Sequence, residues 1–364
     1  MESDYAIIGG GVVGLSIAWG LLKRGRSVTV IDGDDGSFRA SRGNFGLVWV
    51  QSKGMNQPRY AQWSQGSAAA WSAFAAELGE ATGHDMGLRQ DGGLSLFFSE
   101  DELAKTVSEY EELKAKLGGD YPYEVLGGNA LRGEEPHIGP AVVGAILHHQ
   151  DGHTNPLRLL QSLAQDVRRL GGRVLNGKQV TAVDKQDLFR LTCADGTEIR
   201  ARKTVLSAGL GAIALGPAMG FKAPIRPQRG QVLITEKMPK IINRPSLIAR
   251  QVDEGGIQIG ATNEEVDYNN DVTHSGVAQL AADAVNAYPL LARVNLIRSW
   301  GALRILSPDG LPIYQESTEM PGAYLVTCHS GVTLAAAHAR FLPDWLEGTQ
   351  DAPNLEVFSE ARFS

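Results

Sequence analysis

This chain is predicted to have an α/β fold: a discontinuous parallel-sheet lobe with a β-rich lobe of α+β character inserted in it. Three features carry that reading. The opening stretch Tyr5–Ile8 is apolar and runs into Gly9-Gly10-Gly11-Val12-Val13-Gly14, a G-x-G-x-x-G run made by Gly9, Gly11 and Gly14. A second apolar stretch, Ser27–Ile31, follows a helix-like segment to about Leu22 and ends in Asp32. Alternating strand and turn patterns from Pro217 to about 299 then give way to helix and strand material at the end of the chain. The first two features form a β-α-β dinucleotide fingerprint of Rossmann type. Gly9 permits the tight turn, Gly11 lets backbone approach a pyrophosphate, and Gly14 lets helix and strand pack closely. The helix N-terminus turns its unpaired N–H groups toward the phosphates, and Asp32 suits the ribose hydroxyls.

The remaining elements follow from local pattern. Residues 57–80 read as a helix rich in small residues, with Trp63 and Trp71. Leu94–Phe98 reads as a strand, and Glu100–Leu117 as an amphipathic surface helix ended by Gly118-Gly119. Gly144–His149 is a strand, and Asp151–Pro156 is a turn with Asn155 or Thr154 as cap and Pro156 opening the helix Leu157–Leu170. Arg173–Leu175, Val180–Val183, Phe189–Thr192 and Glu198–Lys203 suggest a small meander, and Thr204–Leu206 one more buried strand. Strands are expected at Gly230–Thr235, Leu247–Gln251 and Gly256–Gly260, with a helix from about Ser275 to Tyr288. Trp300–Leu306 and Tyr324–Thr327 return to strand, and a final helix is expected from Val332 to Leu346. The division this suggests is a cofactor lobe at 1–80, 141–216 and 300–364, and a substrate lobe at 81–140 and 217–299.

Composition narrows the functional classes. The 364 residues can bury a large core, and the 43 glycines suit tight turns and close approach to a ligand. The net charge of −7 and the lack of a basic stripe argue against nucleic acid. No apolar run reaches the ~18 residues of a membrane span. Glu2 and Asp4 lead straight into a strand, so no secretory signal is expected. Cys193 and Cys328 form no metal or redox motif, and a reducing cytoplasm is the expected compartment. His148, His149 and His153 lack metal-ligand spacing and read as structural, so no metal is expected.

Further motifs carry a resemblance. They are Ala40-Ser41-Arg42-Gly43-Asn44, the Asp-Gly…Asn-Pro turn at 151–156, and the strand end Val205-Leu206-Ser207-Ala208-Gly209. Arg226–Gln231, Gly301-Ala302-Leu303-Arg304 with Ser307-Pro308-Asp309-Gly310, and Cys328–Leu334 follow in order. Over almost its whole length the chain resembles the D-amino-acid-oxidase-like family of FAD-dependent amine oxidoreductases. The run Arg42–Gln51 is similar to the β subunits of heteromeric opine (octopine and nopaline) oxidases, which have relatives in D-hydroxyproline dehydrogenase and hydrogen cyanide synthase.

The resemblance implies FAD, held without a covalent bond, since no cysteine stands between Trp300 and Pro312. Expected cofactor contacts are Gly9, Gly11, Val12, Val13, Gly14, Asp32, Ser41, Arg42, Asn44, Gly46, Leu47, Val180, Ala208, Gly209, Arg304, Ser330, Gly331, Val332, Thr333 and Leu334. The backbone amides of 329–334, just before a helix, suit the flavin N1–C2=O edge, which becomes anionic on reduction. Arg304 is the expected substrate anchor, a bidentate fork for a carboxylate. Ile305 departs from the proline the family often has there. His329 is a candidate contact to flavin or amine, and Tyr268 a candidate aromatic lid, with packed and surface roles as their alternatives.

The implied reaction is oxidation of the C–N bond of a secondary amino acid, by hydride transfer to flavin N5 and hydrolysis of the imine. The resemblance implies two partner chains, an α subunit and a small iron–sulfur-type subunit, carrying a second flavin and the cluster. Two distant cysteines here cannot supply four thiolates. Alternatives are a stand-alone oxidase of glycine or sarcosine type, a catalytically silent flavoprotein subunit, and an NAD-dependent dehydrogenase.

Overall fold

The computed structural model describes residues 2–33 and 39–363; part of the polar stretch 33–42 thus lies outside the described residues. The strand Glu2–Ile8 is followed by the helix Val12–Lys23 and the strand Val28–Ile31, which pairs in parallel with the first. Nine residues of that helix are buried, so its apolar sequence faces protein almost all round. Close packing explains Gly14 and Gly20: a Cβ on either would overlap a backbone carbonyl, that of Gly9 or of Ala339.

The first strand lies inside an eight-stranded sheet. Glu198–Leu206 flanks it in parallel on one side and Val28–Ile31 on the other, with Ala323–Thr327 parallel beyond Glu198–Leu206. The parallel strands therefore end together, at Ile8, Ile31, Leu206 and Thr327, and the crevice beyond such ends is where α/β folds bind ligands. A four-stranded sheet of Ala249–Gln251, Ile257–Gly260, Arg226–Thr235 and Leu296–Leu306 stands apart from it. A three-stranded sheet joins Gly93–Phe97, Gly144–His148 and Glu124–Gly127. Gly144–His148 and Leu296–Leu306 thus pair outside the large sheet. Separate apolar clusters support the large sheet on each face, and a third unites the smaller sheets with the helix His274–Ala287.

Several local expectations change. Glu198–Lys203 and Thr204–Leu206 are one strand, because the antiparallel hairpin partner ends while the parallel partners continue. Arg173–Leu175 is no part of the meander and pairs in parallel with Thr29–Ile31. The helix expected over 332–346 is two short ones, Ala335–Arg340 and Leu342–Glu347. Pro343 lacks the N–H a continuous helix would need and instead opens the second. Ile313–Glu316, too short to read from sequence, forms a strand by pairing with Tyr324–Thr327.

Candidate active site

The fingerprint forms a half-buried strip at the ends of the parallel strands. Gly9 has φ +111°, and a Cβ there would overlap the Ser207 carbonyl, so the turn requires glycine. Gly10 N–H donates to Asp32 Oδ2 at 2.5 Å, and Val12 N–H to Ser41 Oγ at 3.1 Å. Gly11 starts the helix without a side-chain cap, and a Cβ on it would stand 3.0 Å from Ser41 Oγ. The helix N-terminus, Asp32 and Ser41 therefore share one place. Ala208 and Gly209 (φ +56°) border it after the Glu198–Leu206 strand. Val180 packs in the cluster that holds Ile8 and Ile31 beneath Asp32. Gly331 reaches the strip from the far end of the chain, its ideal Cβ 3.3 Å from Val13 Cγ2.

From there a cavity of about 1080 Å³ opens. Three distant segments meet to make its wall. Leu47–Val48 pairs with Gly152–His153, and Thr154 N–H donates to Gly46 O at 2.8 Å. Asp151 accepts the Val50 amide at 2.5 Å and Gln51 Nε2 at 3.0 Å. Trp49 N–H donates to Thr333 Oγ1 at 3.1 Å, while Thr333 O accepts Ser67 Oγ and Trp71 Nε1 at 2.7 and 3.0 Å. Tyr60 OH donates to Ser330 Oγ at 3.0 Å. The 44–51 run, the 151–156 turn and the 328–334 segment are thus one assembly.

A further part of the wall comes from the four-stranded sheet. Gln228 lies across from Arg304 in register, and the Arg304 guanidinium fills the space a Cβ on Gly230 would need. Arg304 Nη1 donates to Thr262 O at 2.7 Å and more weakly to Arg229 O at 3.3 Å. Its Nη2 and Nε make no bond among the described residues, which leaves donors for a ligand in the cavity. Burial lowers its pKa, opposed by the charge of Glu264. Glu264 itself is held down to about 2 by its bond to Arg229 at 2.6 Å. A network of Arg229, Gln231, Thr262 and Glu264 so fixes the strand behind Arg304.

His329 lines the cavity and is open to it. Surrounding protein, then the charges of Arg304 and Lys53, push its pKa down to about 4, so the ring is neutral near pH 7. Lys53, Trp49 and Tyr60 line the same space and escaped notice in the sequence. Only the lone cation shortly after the apolar run Leu47–Val50 could have pointed to Lys53.

Among the candidate residues, Asn44, Leu47, Arg304, His329, Ser330, Val332 and Thr333 line the cavity. The glycine strip, Asp32, Ser41, Ala208, Gly209 and Gly331 form the adjoining crevice. Two expectations need correction. Tyr268 is 62% exposed in a turn outside the cavity wall, because the 261–273 loop turns it to solvent. Leu334 is fully buried, and its amide is spent on Ser330 O at 2.9 Å, so it offers a ligand no donor. Arg42 is exposed and is not part of the cavity lining. Among the described residues no three His, Cys, Asp or Glu side chains are placed to hold a metal ion.

A family model described as FAD dependent oxidoreductase matches residues 4–345. The chain belongs to that family. This oxidoreductase is 40% identical over 364 residues to an opine oxidase subunit of Rhizobium meliloti, covering 100% of this chain and 98% of that one. It is equally 40% identical to the like-named opine oxidase subunit of Agrobacterium tumefaciens, over 100% and 98% of the two chains. Its fold superposes on the crystal structure of glycine oxidase from Geobacillus kaustophilus with a TM-score of 0.91 at 25% identity, over 98% of each chain. FAD is therefore its cofactor, and the crevice fits: glycines stand where side chains would fill the cradle, a helix whose N-cap residue Gly11 has no side chain suits the pyrophosphate, and Asp32 suits a ribose. No helix among the described residues is long and apolar enough to cross a membrane.

Proposed function

We propose that this oxidoreductase oxidises the C–N bond of a secondary amino acid of the opine or D-hydroxyproline kind, and that it does so as one member of a heteromeric complex. The observation that carries the reading is Arg304. It stands on the cavity wall with two donor nitrogens unused, beside a crevice built for FAD.

The substrate carboxylate binds the Arg304 fork, and the rigid strand pair behind it fixes the angle of approach. His329, neutral, accepts a hydrogen bond from the N–H of the deprotonated amine. Bound FAD supplies the two-electron acceptor, at N5, for the hydride of the carbon beside nitrogen. The chain's residues need only hold the amine deprotonated and oriented; the imine product is hydrolysed in water. Ser330, Gly331, Val332 and Thr333 line the place where the flavin ring would sit. FAD is held without a covalent bond, since neither cysteine is among the residues lining the cavity.

Residues 1–80, 141–216 and 300–364 would serve the cofactor and 81–140 and 217–299 the substrate. The strands at 144–148 and 300–306 fall in the cofactor set by sequence but pair with strands of the substrate set. The two relatives named as opine oxidase subunits support a multisubunit complex; in the reading proposed here its other members are an α partner and a small iron–sulfur partner, with a second flavin and a cluster to carry electrons away. Buried unpaired cysteines support a cytoplasmic site. A second reading, a stand-alone oxidase that reduces O₂ to peroxide, is favoured by the fold match to glycine oxidase. Reoxidation rate separates the two. After anaerobic reduction by substrate, slow recovery of the oxidised flavin spectrum in air supports the complex, and fast recovery supports the oxidase.

A further inference from the structure

Among the described residues one carboxylate lines the cavity, that of Asp309, in the turn after the Leu296–Leu306 strand. It stays ionised: burial raises its pKa, but the bonds from Arg362 and the Leu311 amide bring it below the ordinary carboxylate value. Arg362, which lines the cavity beside it, belongs to the last residues of the chain. Its Nε and Nη2 meet Asp309 Oδ2 and Oδ1 at 2.7 and 3.1 Å, a bidentate fork. Backbone fixes the rest of the guanidinium. Nη1 donates to Phe358 O at 2.6 Å and Ser359 O at 3.0 Å, and Nη2 to Pro312 O at 3.0 Å. The arginine side chain is 18% exposed and the aspartate 35%, so the pair stands where the cavity meets solvent.

The segment that carries Arg362 is fastened at several points. Phe358 is buried and packs edge-on against Tyr60 and Tyr314, with ring centres 6.2 and 5.8 Å apart. The Glu360 carboxylate accepts the Lys222 and Ala223 amides at 3.1 and 3.0 Å. Val357 of the same segment lines the cavity too. All of this lies beyond residue 345, where the family match ends. The cation that neutralises the carboxylate of the cavity thus comes from outside the matched stretch.

A lone ionised carboxylate at the border of a cleft repels an entering anion, and the low-dielectric walls focus its field. We propose that Arg362 sets the charge selectivity of entry: it neutralises Asp309, so that an anionic ligand reaches the interior unopposed. The class of that anion, a carboxylate, rests on the amine-oxidation reading above, and the selectivity itself does not.

The test uses the FAD-loaded protein and two one-electron reductants of opposite charge. One is the sulfur dioxide radical anion from dithionite, which ends as sulfite. The other is the methyl viologen radical cation, which ends as the dication. Two of either reduce one flavin, with protons from water, and stopped-flow recording of the ~450 nm band gives each rate. The readout is the ratio of the anion rate to the cation rate, because a change in folding or in flavin potential moves both rates the same way. Arg362→Met leaves the Asp309 charge unopposed and should lower the ratio about threefold to tenfold at low ionic strength, with recovery in ~0.5 M salt. Asp309→Asn leaves Arg362 unopposed and should raise the ratio. The double variant should return it to within about twofold of wild type, since the two charges are then both gone. Arg362→Lys should keep most of the wild-type ratio.

The proposal is overturned if the ratio is the same in Arg362→Met and wild type, if it does not rise in Asp309→Asn, or if the double variant stays with Arg362→Met. The last result would assign the effect to the shape of the segment rather than its charge. If Arg362→Met retains no flavin, Asp309→Asn and Arg362→Lys decide by the same signs. Bleaching of the flavin by amines is scored separately. A charge-dependent ratio in a protein that no amine bleaches retains the selectivity and removes amine oxidation, and bleaching with an unmoved ratio removes the selectivity alone.

Discussion

The Trp49 amide donates to the Thr333 hydroxyl across 3.1 Å, joining segments 284 residues apart. Through that bond the run that follows the second strand is fastened to the segment that precedes the last helices. Thr333 is buried, and its carbonyl is held by Ser67 and Trp71. Replacing Thr333 by Val keeps the shape and strands a buried donor. We expect a loss of about 1–3 kcal/mol in denaturant unfolding, with Thr333→Ser close to wild type. An unchanged Thr333→Val midpoint would mean that the two segments are not coupled by this bond.

Gly11 and Gly14 should behave differently. A methyl on Gly14 overlaps the Gly9 carbonyl, whereas one on Gly11 meets only the Ser41 hydroxyl at 3.0 Å. Gly11→Ala is therefore expected to fold with native far-UV circular dichroism and to retain less FAD after gel filtration. Gly14→Val is expected to give little folded protein. Equal flavin content in Gly11→Ala and wild type would remove the close backbone approach from the binding account.

The acid limb of stability should depend on His338. Burial drives its pKa down to about 3 from 6.5, and Tyr314 OH bonds its Nε2 at 2.9 Å. Between pH 6.5 and 3 the unfolded chain then binds a proton that the folded chain does not. The sign follows: this contribution favours folding above pH 6.5 and is lost as pH falls toward 3. His338→Gln should remove up to about 1.4 kcal/mol of slope per pH unit across that window. His148 and His153 act in the same direction, while Asp151 and Glu135, raised by burial to about 7, act oppositely. Comparing variant with wild type at each pH cancels those shared groups. Parallel stability curves would contradict the assignment.

The nucleotide crevice was legible because it depends on local pattern: glycines at fixed spacing between two apolar stretches, then Asp32. Asn155 as a cap and Pro156 in the first turn were legible for the same reason, and the cap accepts the Leu157 and Arg158 amides. Lys53 was not legible. Its meaning comes from the meeting of the 47–53 run with the 328–334 segment and the 300–306 strand, and no spacing in sequence records that meeting. Tyr268 stayed open between lid and surface turn for the converse reason: an aromatic in a polar loop looks the same whether the loop folds over a cavity or away from it. The last helix broke where backbone needs of the 330–334 turn and Pro343 outweighed an apolar period.

The most direct measurement is anaerobic mixing of the purified flavoprotein with a panel of secondary amino acids, following the ~450 nm flavin band in wild type and Arg304→Met side by side. The wild type should be bleached by at least one opine or cyclic imino acid. Arg304→Met should need on the order of a hundredfold more of it, the loss of a bidentate charged contact, with its flavin content unchanged. Equal bleaching of the two proteins, or a bound flavin that no amine on the panel reduces in the wild type or its co-purified complex, would contradict the assignment of amine oxidation to this cavity.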